Sequence, residues 1–369
     1  TGIQNIDGYL SIKEEQSVDL ENISSWKNSN QTFEISGNEY TAGINPNVDG
    51  EKHLISNQGE LTIKNLSVKN NDLLLASGSG AGGAIIQNKG VISELTNTHF
   101  VNNNVDTLKY NDLWGGLIAN IQGGTINSIK DSSFSDNTFL TQQSAPHGAI
   151  IYNGTGAESI IGLIENVTFK NNIMQATINQ KGGGHGTAID NNQYGVINKI
   201  TNSKFINNRT YKPGDSTPID EQNHASGGAM DNYHIINEIS NTLFQGNSAE
   251  IESSNKNGRM YARAGAIVVT YADAGGTAIG KIGKMENVQF IENYAKNTVG
   301  EAMGGAIATS GNSTLEKMNA VLFKDNYVQG DGTSDGKGHA LGGAIYNLKG
   351  TIGELNGEFD GNKALSKNA

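Results

Sequence analysis

Acidic and imidazole side chains recur at matched places along this chain, and they are the first residues to consider for chemistry. Asp190 and Asp231 occupy equivalent positions in neighbouring repeats, each followed by an asparagine, Asn191 and Asn232. Two carboxylates so placed could act as an acid pair on a glycosidic bond or hold Ca²⁺ through oxygen ligands. The plainer expectation is two solvated carboxylates on an outward strand face, since no Arg or Lys motif accompanies them as a lyase base would require. His147 and His185 share a place just before a glycine in consecutive repeats. Two imidazoles would be half a transition-metal site, and the expectation is again the plain one, residues at the base of loops. Gly214-Asp215-Ser216 has the outline of a serine nucleophile turn, but no suitably placed His and Asp go with it. Nothing in these patterns asks for a cofactor.

Composition narrows the choice. The chain has 369 residues, no cysteine, 48 Gly, 4 Pro and 48 Asn. Gly and Asn tolerate left-handed backbone, so a chain rich in both has many tight corners. The absence of cysteine excludes disulfides and thiolate metal sites. The net charge of −11, with no Lys/Arg run longer than two, argues against nucleic acid and against anionic membrane surfaces. No apolar run approaches 18 residues, so no bilayer-spanning helix and no direct membrane insertion of this segment is expected. The chain starts at Thr1 with no basic-plus-apolar leader, which reads as a cut precursor or a chain without a signal.

The elements that must position these residues come from two alternating motifs. A Gly-Gly-Ala-Ile-like motif falls at 82–85, 115–118, 148–150, 186–189, 227–230, 264–267, 304–307 and 342–345. An Ile-x-x-Ile-x-Asn-x-x-Phe-x-x-Asn motif places Phe at 100, 134, 169, 205, 244, 290, 323 and 359, each with Asn three residues on. Residues 83–103 show one unit: a strand at 84–86, a turn at Asn88-Lys89-Gly90, a strand at 91–95, a turn at Thr96-Asn97 and a strand at 98–102. Three short strands closed by Gly/Asn corners make one coil of a parallel β-helix. The chain is therefore expected to be all-β, a right-handed solenoid of about nine or more coils with three strands per coil. Stacking in register puts the Phe residues in an internal aromatic column and the Asn residues in an amide ladder. A second polar column is expected three residues before Phe: Asn97, Asp131, Asn166, Asn202, Asn241 and Asn287, broken by Ala320. Residues 54–71 read as a further coil with Val68 in the Phe place, and that coil and the last are one residue short. Residues 1–50 read as an N-terminal cap with irregular first coils, and residues 51–369 as the repeat region.

Between each ladder Asn and the next glycine pair lies a segment of variable length, such as 104–114, 138–147, 173–185, 209–226, 248–263 and 327–341. All leave the same corner and form one ridge, while 270–280 leaves another. The ridge carries the candidate binding residues Arg209, Tyr211, Arg259, Tyr261, Arg263, Tyr110 and Trp114, including every arginine of the chain. Arg209, Tyr211, Arg259, Tyr261 and Arg263 are expected to share one patch. Aromatic and Arg side chains are enriched at binding hot spots. Outer rows of Asn, Thr and Asp offer a second surface, for zipping to another copy.

These paired motifs, Gly-Gly-Ala-Ile and Phe-x-x-Asn over residues 54–362, resemble the repeats of polymorphic membrane proteins and related autotransporter passenger domains of Gram-negative bacteria. The resemblance implies export through an outer-membrane pore and display on the cell surface or secretion. It also implies adhesion, self-association or host contact, with a host-cell or bacterial surface protein or glycan, or another copy, as partner. A full-length member's C-terminal barrel is not in this sequence, so the resemblance implies an excised or processed passenger. The rival reading is a polysaccharide-degrading β-helix, a lyase or glycoside hydrolase. Gly183-Gly184-His185-Gly186 is similar to the Gly-His-Gly of β-helical pectin hydrolases, but their paired Asp-Asp and Arg-x-Lys are missing. No enzymatic activity is expected.

Overall fold

The computed structural model describes residues 55–366 except 71, 77–82, 84, 108–112, 142–145, 149, 177–183, 214–223, 254–259, 271–278 and 332–338. Of the strands before Ile55, and of Asp72–Ala76 and Leu113–Trp114, it describes the backbone alone. The chain is all-β, and its strands stack in parallel as a β-solenoid. Ile86–Asn88, Val91–Thr96 and His99–Val101 form the expected three-strand rung. Each pairs in register with its counterparts one coil before and one coil after. The first wall is a ten-stranded sheet, and the next two strands of every coil share one sheet of eighteen. The earliest coil uses Val18–Asp19, Ser25–Lys27, Phe33–Ser36 and Glu39–Gly43, which pair with the coil that follows.

Side-chain chemistry explains why the coils lock at one register. The Phe column is continuous from Phe100 to Phe359, with ring centres 4.6–5.0 Å apart and nearly parallel planes. Val68 takes the Phe place one coil earlier, opposite Phe100. The asparagine after each Phe donates its Nδ2 to the Oδ1 of the next, from Asn103 to Asn362, at 2.9–3.0 Å. These amides satisfy one another inside a corner where water does not reach. A second buried ladder, absent from the sequence reading, runs Asn57, Asn88, Asn120, Asn153, Asn191 and Asn232 at 2.7–2.8 Å. The polar column before Phe lies at the surface with left-handed backbone, as at Asn97 (φ 50°) and Asn202 (φ 52°). The coil that begins at Ile55 and the last coil are each one residue short: Ser93 and Ala320 have no partner across the pairing.

Register corrects the frame of the glycine motif in two coils. Ile86 pairs with Ile118 and Ile55, and Ile151 with Ile118 and Ile189. The motifs at 82–85 and 148–150 therefore shift to Gly83 through Ile86 and Gly148 through Ile151. The anchor is the first glycine's positive φ, 74° at Gly83 and 63° at Gly148, which turns the chain into the wall. The place facing away from the tube is then Gln87, Ala119, Tyr152, Asp190, Asp231, Val268, Ala308 and Tyr346.

The ridge is built rather than looped. After each ladder asparagine the chain continues as a further strand, such as Arg209–Pro213 or Ser248–Glu252. Before each glycine corner a short strand returns, such as His224–Ser226 or Tyr261–Arg263. The outgoing strands form a ten-stranded sheet and the returning strands a seven-stranded one. Their facing sides share a small core of Ala225, Ala249, Ile251, Met260, Ala262, Ala295, Val299, Ala302 and Val328. Alanine here lets the two sheets approach closely. The result is a thin fin along the tube.

Candidate functional site

Alternation along the fin strands decides what each face presents. On the outgoing sheet Thr210 and Lys212 are buried while Arg209 and Tyr211 face away. Arg209 grips Glu250 in the next coil with two charge-assisted hydrogen bonds, Nε to Oε1 at 2.8 Å and Nη2 to Oε2 at 2.7 Å. Its guanidinium lies 3.8 Å over the Tyr211 ring, and the Tyr211 hydroxyl donates to Glu252 at 2.9 Å. Glu250 also accepts from Tyr294 at 2.7 Å and Ser248 at 2.8 Å. Burial works to raise the Glu250 carboxyl, but the bonds from Arg209, Tyr294 and Ser248 outweigh it and hold the group below its ordinary value. Burial and then the Glu250 bond push the Tyr294 hydroxyl up to about 12. Tyr327 stacks on Tyr294 at 4.8 Å. All four ring and guanidinium groups are half-buried.

The other expected residues are distributed differently. Tyr261 and Arg263 lie on the returning sheet, alternating with the buried Ala262, with Arg263 5.3 Å over the Tyr261 ring. The fin core separates them from Arg209 and Tyr211, so the two pairs occupy opposite faces rather than one patch. The Trp114 backbone pairs with His147 at the same sheet's early end. Tyr110 and Arg259 lie outside the described residues.

The carboxylates give the clearest departure from expectation. Asp190 and Asp231 face away from the tube yet are 0% exposed. The returning strands cover them with the column His147, His185, Ser226 and Arg263. His147 Nδ1 meets Asp190 Oδ2 at 2.9 Å, and His185 Nδ1 meets Asp231 Oδ2 at 3.1 Å. The Tyr233 hydroxyl lies 2.6 Å from the same His185 nitrogen, and His224 Nε2 lies 2.9 Å from His185 Nε2. His147 and His185 are thus not loop-base residues but half of a buried acid–imidazole array. The signal available in sequence was the matched spacing of His and Asp one coil apart. The covering strand could not be seen there.

Burial raises both carboxyls, Asp190 to about 6 and Asp231 to about 7, against the hydrogen bonds that pull them down. A carboxyl raised in the folded chain holds its proton more tightly there than when unfolded. Its favourable contribution is full below the unfolded value of 3.8 and is lost as pH rises through about 6 for Asp190. Asp190→Asn removes that titration while keeping an acceptor for His147. Measured by urea unfolding, the variant's stability relative to the parent should improve by up to about 3 kcal/mol from pH 4 to pH 8. Groups remote from Asp190 titrate alike in both proteins and cancel, which leaves Asp190 and its partners His147 and Asp231 to set the difference. A difference that stays flat across this range would show that Asp190 carries no raised pKa.

No family model matches this chain, and neither curated proteins nor solved structures yield a match.

Proposed function

We propose that this chain is an adhesin-type passenger, a rod displayed at or released from a bacterial surface, which binds a protein or glycan through the outgoing face of its fin. The observation that carries this reading is the Arg209–Tyr211–Glu250–Tyr294–Tyr327 array. Aromatic and guanidinium groups supply large contact energy per residue. Here they are already held in place by stacking and by bonds to Glu250 and Glu252, which lowers the ordering cost of binding. An otherwise acidic, polar tube gives the array contrast, and the solenoid repeats its backbone along one edge. The motif resemblance to autotransporter passengers points to the same role. The polysaccharide-degrading alternative needs carboxylates presented to a polymer, whereas Asp190 and Asp231 are sealed beneath the returning strands.

Display of the chain on a non-adherent cell, scored for attachment, glycan binding and aggregation, tests the proposal. The triple variant Arg209→Ser, Tyr294→Ser and Tyr327→Ser should lower attachment at least tenfold with the β-rich circular dichroism unchanged. Aggregation lost together with attachment would identify another copy as the partner. Attachment that persists undiminished in the triple variant would overturn the assignment to this face.

A further inference from the structure

We propose that His185 and His224 form a two-imidazole binding site for a divalent transition-metal ion such as Zn²⁺, Ni²⁺ or Cu²⁺, at the junction of fin and wall. The two residues sit on returning strands of adjacent coils. Their Nε2 atoms are 2.9 Å apart, while the ring centres are only 4.5 Å apart with planes at 74°. Rings joined by a straight N–H···N bond would point at each other along one line and stand further apart. Rings whose nitrogens converge on a common point at roughly a right angle give this shorter separation. Two nitrogens each about 2.0–2.1 Å from one ion, at such an angle, lie about 2.9 Å from one another, the cis spacing of a square-planar Cu²⁺ or Ni²⁺ site, which tetrahedral Zn²⁺ would widen by about 0.4 Å.

The surroundings of His185 favour the ligand role. Its far nitrogen, Nδ1, meets Asp231 Oδ2 at 3.1 Å and the Tyr233 hydroxyl at 2.6 Å. A proton on Nδ1, donated to the carboxylate, leaves the Nε2 lone pair directed at His224. Carboxylate backing of this kind orients metal-bound histidines and raises their basicity. His185 is buried, and metal ligation takes the neutral imidazole. His224 is half-buried, which leaves a route for the ion. His147 does not join: its ring lies parallel on His185 at 4.5 Å and 6°, presenting a face instead of a nitrogen. The half metal site considered from sequence, His147 with His185, is therefore replaced by His185 with His224. Among the described residues no group of three or more His, Cys, Asp or Glu is placed to hold one ion, so the geometry supports two protein ligands with the other positions open. Borderline, imidazole-preferring ions suit such a site better than Ca²⁺ or Mg²⁺.

The test uses the full chain, stripped with chelator and titrated with Cu²⁺ and Zn²⁺ by calorimetry, with electron paramagnetic resonance of the Cu²⁺ form. One ion per chain is expected, with hyperfine structure from two nitrogens and a metal-dependent rise in melting temperature. His224→Ala, at a half-buried position, should fold and weaken binding at least tenfold. His147→Gln should fold and bind as the parent does. No saturable binding of either ion would show that the two rings are joined by a hydrogen bond alone, and would overturn the site. So would binding that His224→Ala leaves unchanged. Neither result bears on adhesion through the opposite face of the fin.

Discussion

Truncating Phe205 to alanine is expected to lower the free energy of unfolding by roughly 3–5 kcal/mol, measured by urea denaturation. Phe205 is 0% exposed, and its ring lies 4.8 Å from Phe169 and 4.6 Å from Phe244. The backbone on both sides is pinned by ladder pairs to the coils before and after. The walls therefore cannot collapse onto the space, and the cavity keeps most of its volume. Position in the column should set the size of the effect. Phe359 stacks on Phe323 at 4.8 Å but is 51% exposed. Its truncation removes one stacking partner and little buried area, so a cost of about 1 kcal/mol is expected. Equal losses at the two positions would show that the column is not the core. Because a solenoid is held by nearest-neighbour interfaces, the Phe205 variant should also broaden the transition, with the halves on either side unfolding more independently.

Replacing Asn208 by leucine is expected to cost roughly 3–4 kcal/mol although it adds apolar surface to a buried position. The Asn208 amide is a link in the ladder. It accepts from Asn172 at 2.9 Å and donates to Asn247 Oδ1 at 2.9 Å and to the Phe169 carbonyl at 3.0 Å. Leucine breaks all three at once. Asn172 loses one of its two acceptors, the Phe169 carbonyl loses its side-chain donor, and Asn247 Oδ1 keeps only the Asn208 backbone N–H. No water reaches the corner to replace them, since the asparagines involved are 0% exposed. The adjacent Asn207 provides the control. It is exposed, holds a left-handed backbone at φ 53° and donates to Asn171 Oδ1 at 3.3 Å; that bond is long and solvated, so Asn207→Ala should cost mainly the conformational term, about 1 kcal/mol. A ladder variant no worse than this control would mean that the amides are decorative.

Both predictions rest on features legible in the sequence, and the reason is physical. In-register stacking converts a period along the chain into a column in space, so a Phe and an Asn repeated eight times declare their own neighbours. The same logic exposed the two short coils and the surface column broken at Ala320. The second buried ladder was missed because its members, such as Asn88 and Asn120, look like ordinary turn residues when read one coil at a time. The frame error at Gly83 and at Ile151 has a similar origin: with two glycines or two isoleucines in a row, only backbone φ and interstrand register identify the turning glycine and the isoleucine that pairs across coils.

What the tertiary structure alone decided lies at the junction of fin and wall. Segments without a fixed period, read as loops, contain strands whose alanine faces pack into a core too weakly apolar to signal itself. That packing separates Arg209 from Arg263 and gathers Arg209, Tyr294 and Tyr327 instead. Alternation correctly turned Asp190 and Asp231 away from the tube interior. The sheet that folds back over them, and converts two apparently solvated carboxylates into buried ones with raised pKa values, comes from chain outside the repeat. The approach of His224 to His185, 39 residues away, depends on the same docking. A repeating pattern specifies how like residues stack along the axis. How unlike surfaces fold together across a corner depends on the path and packing of the intervening chain, which carries no period to read.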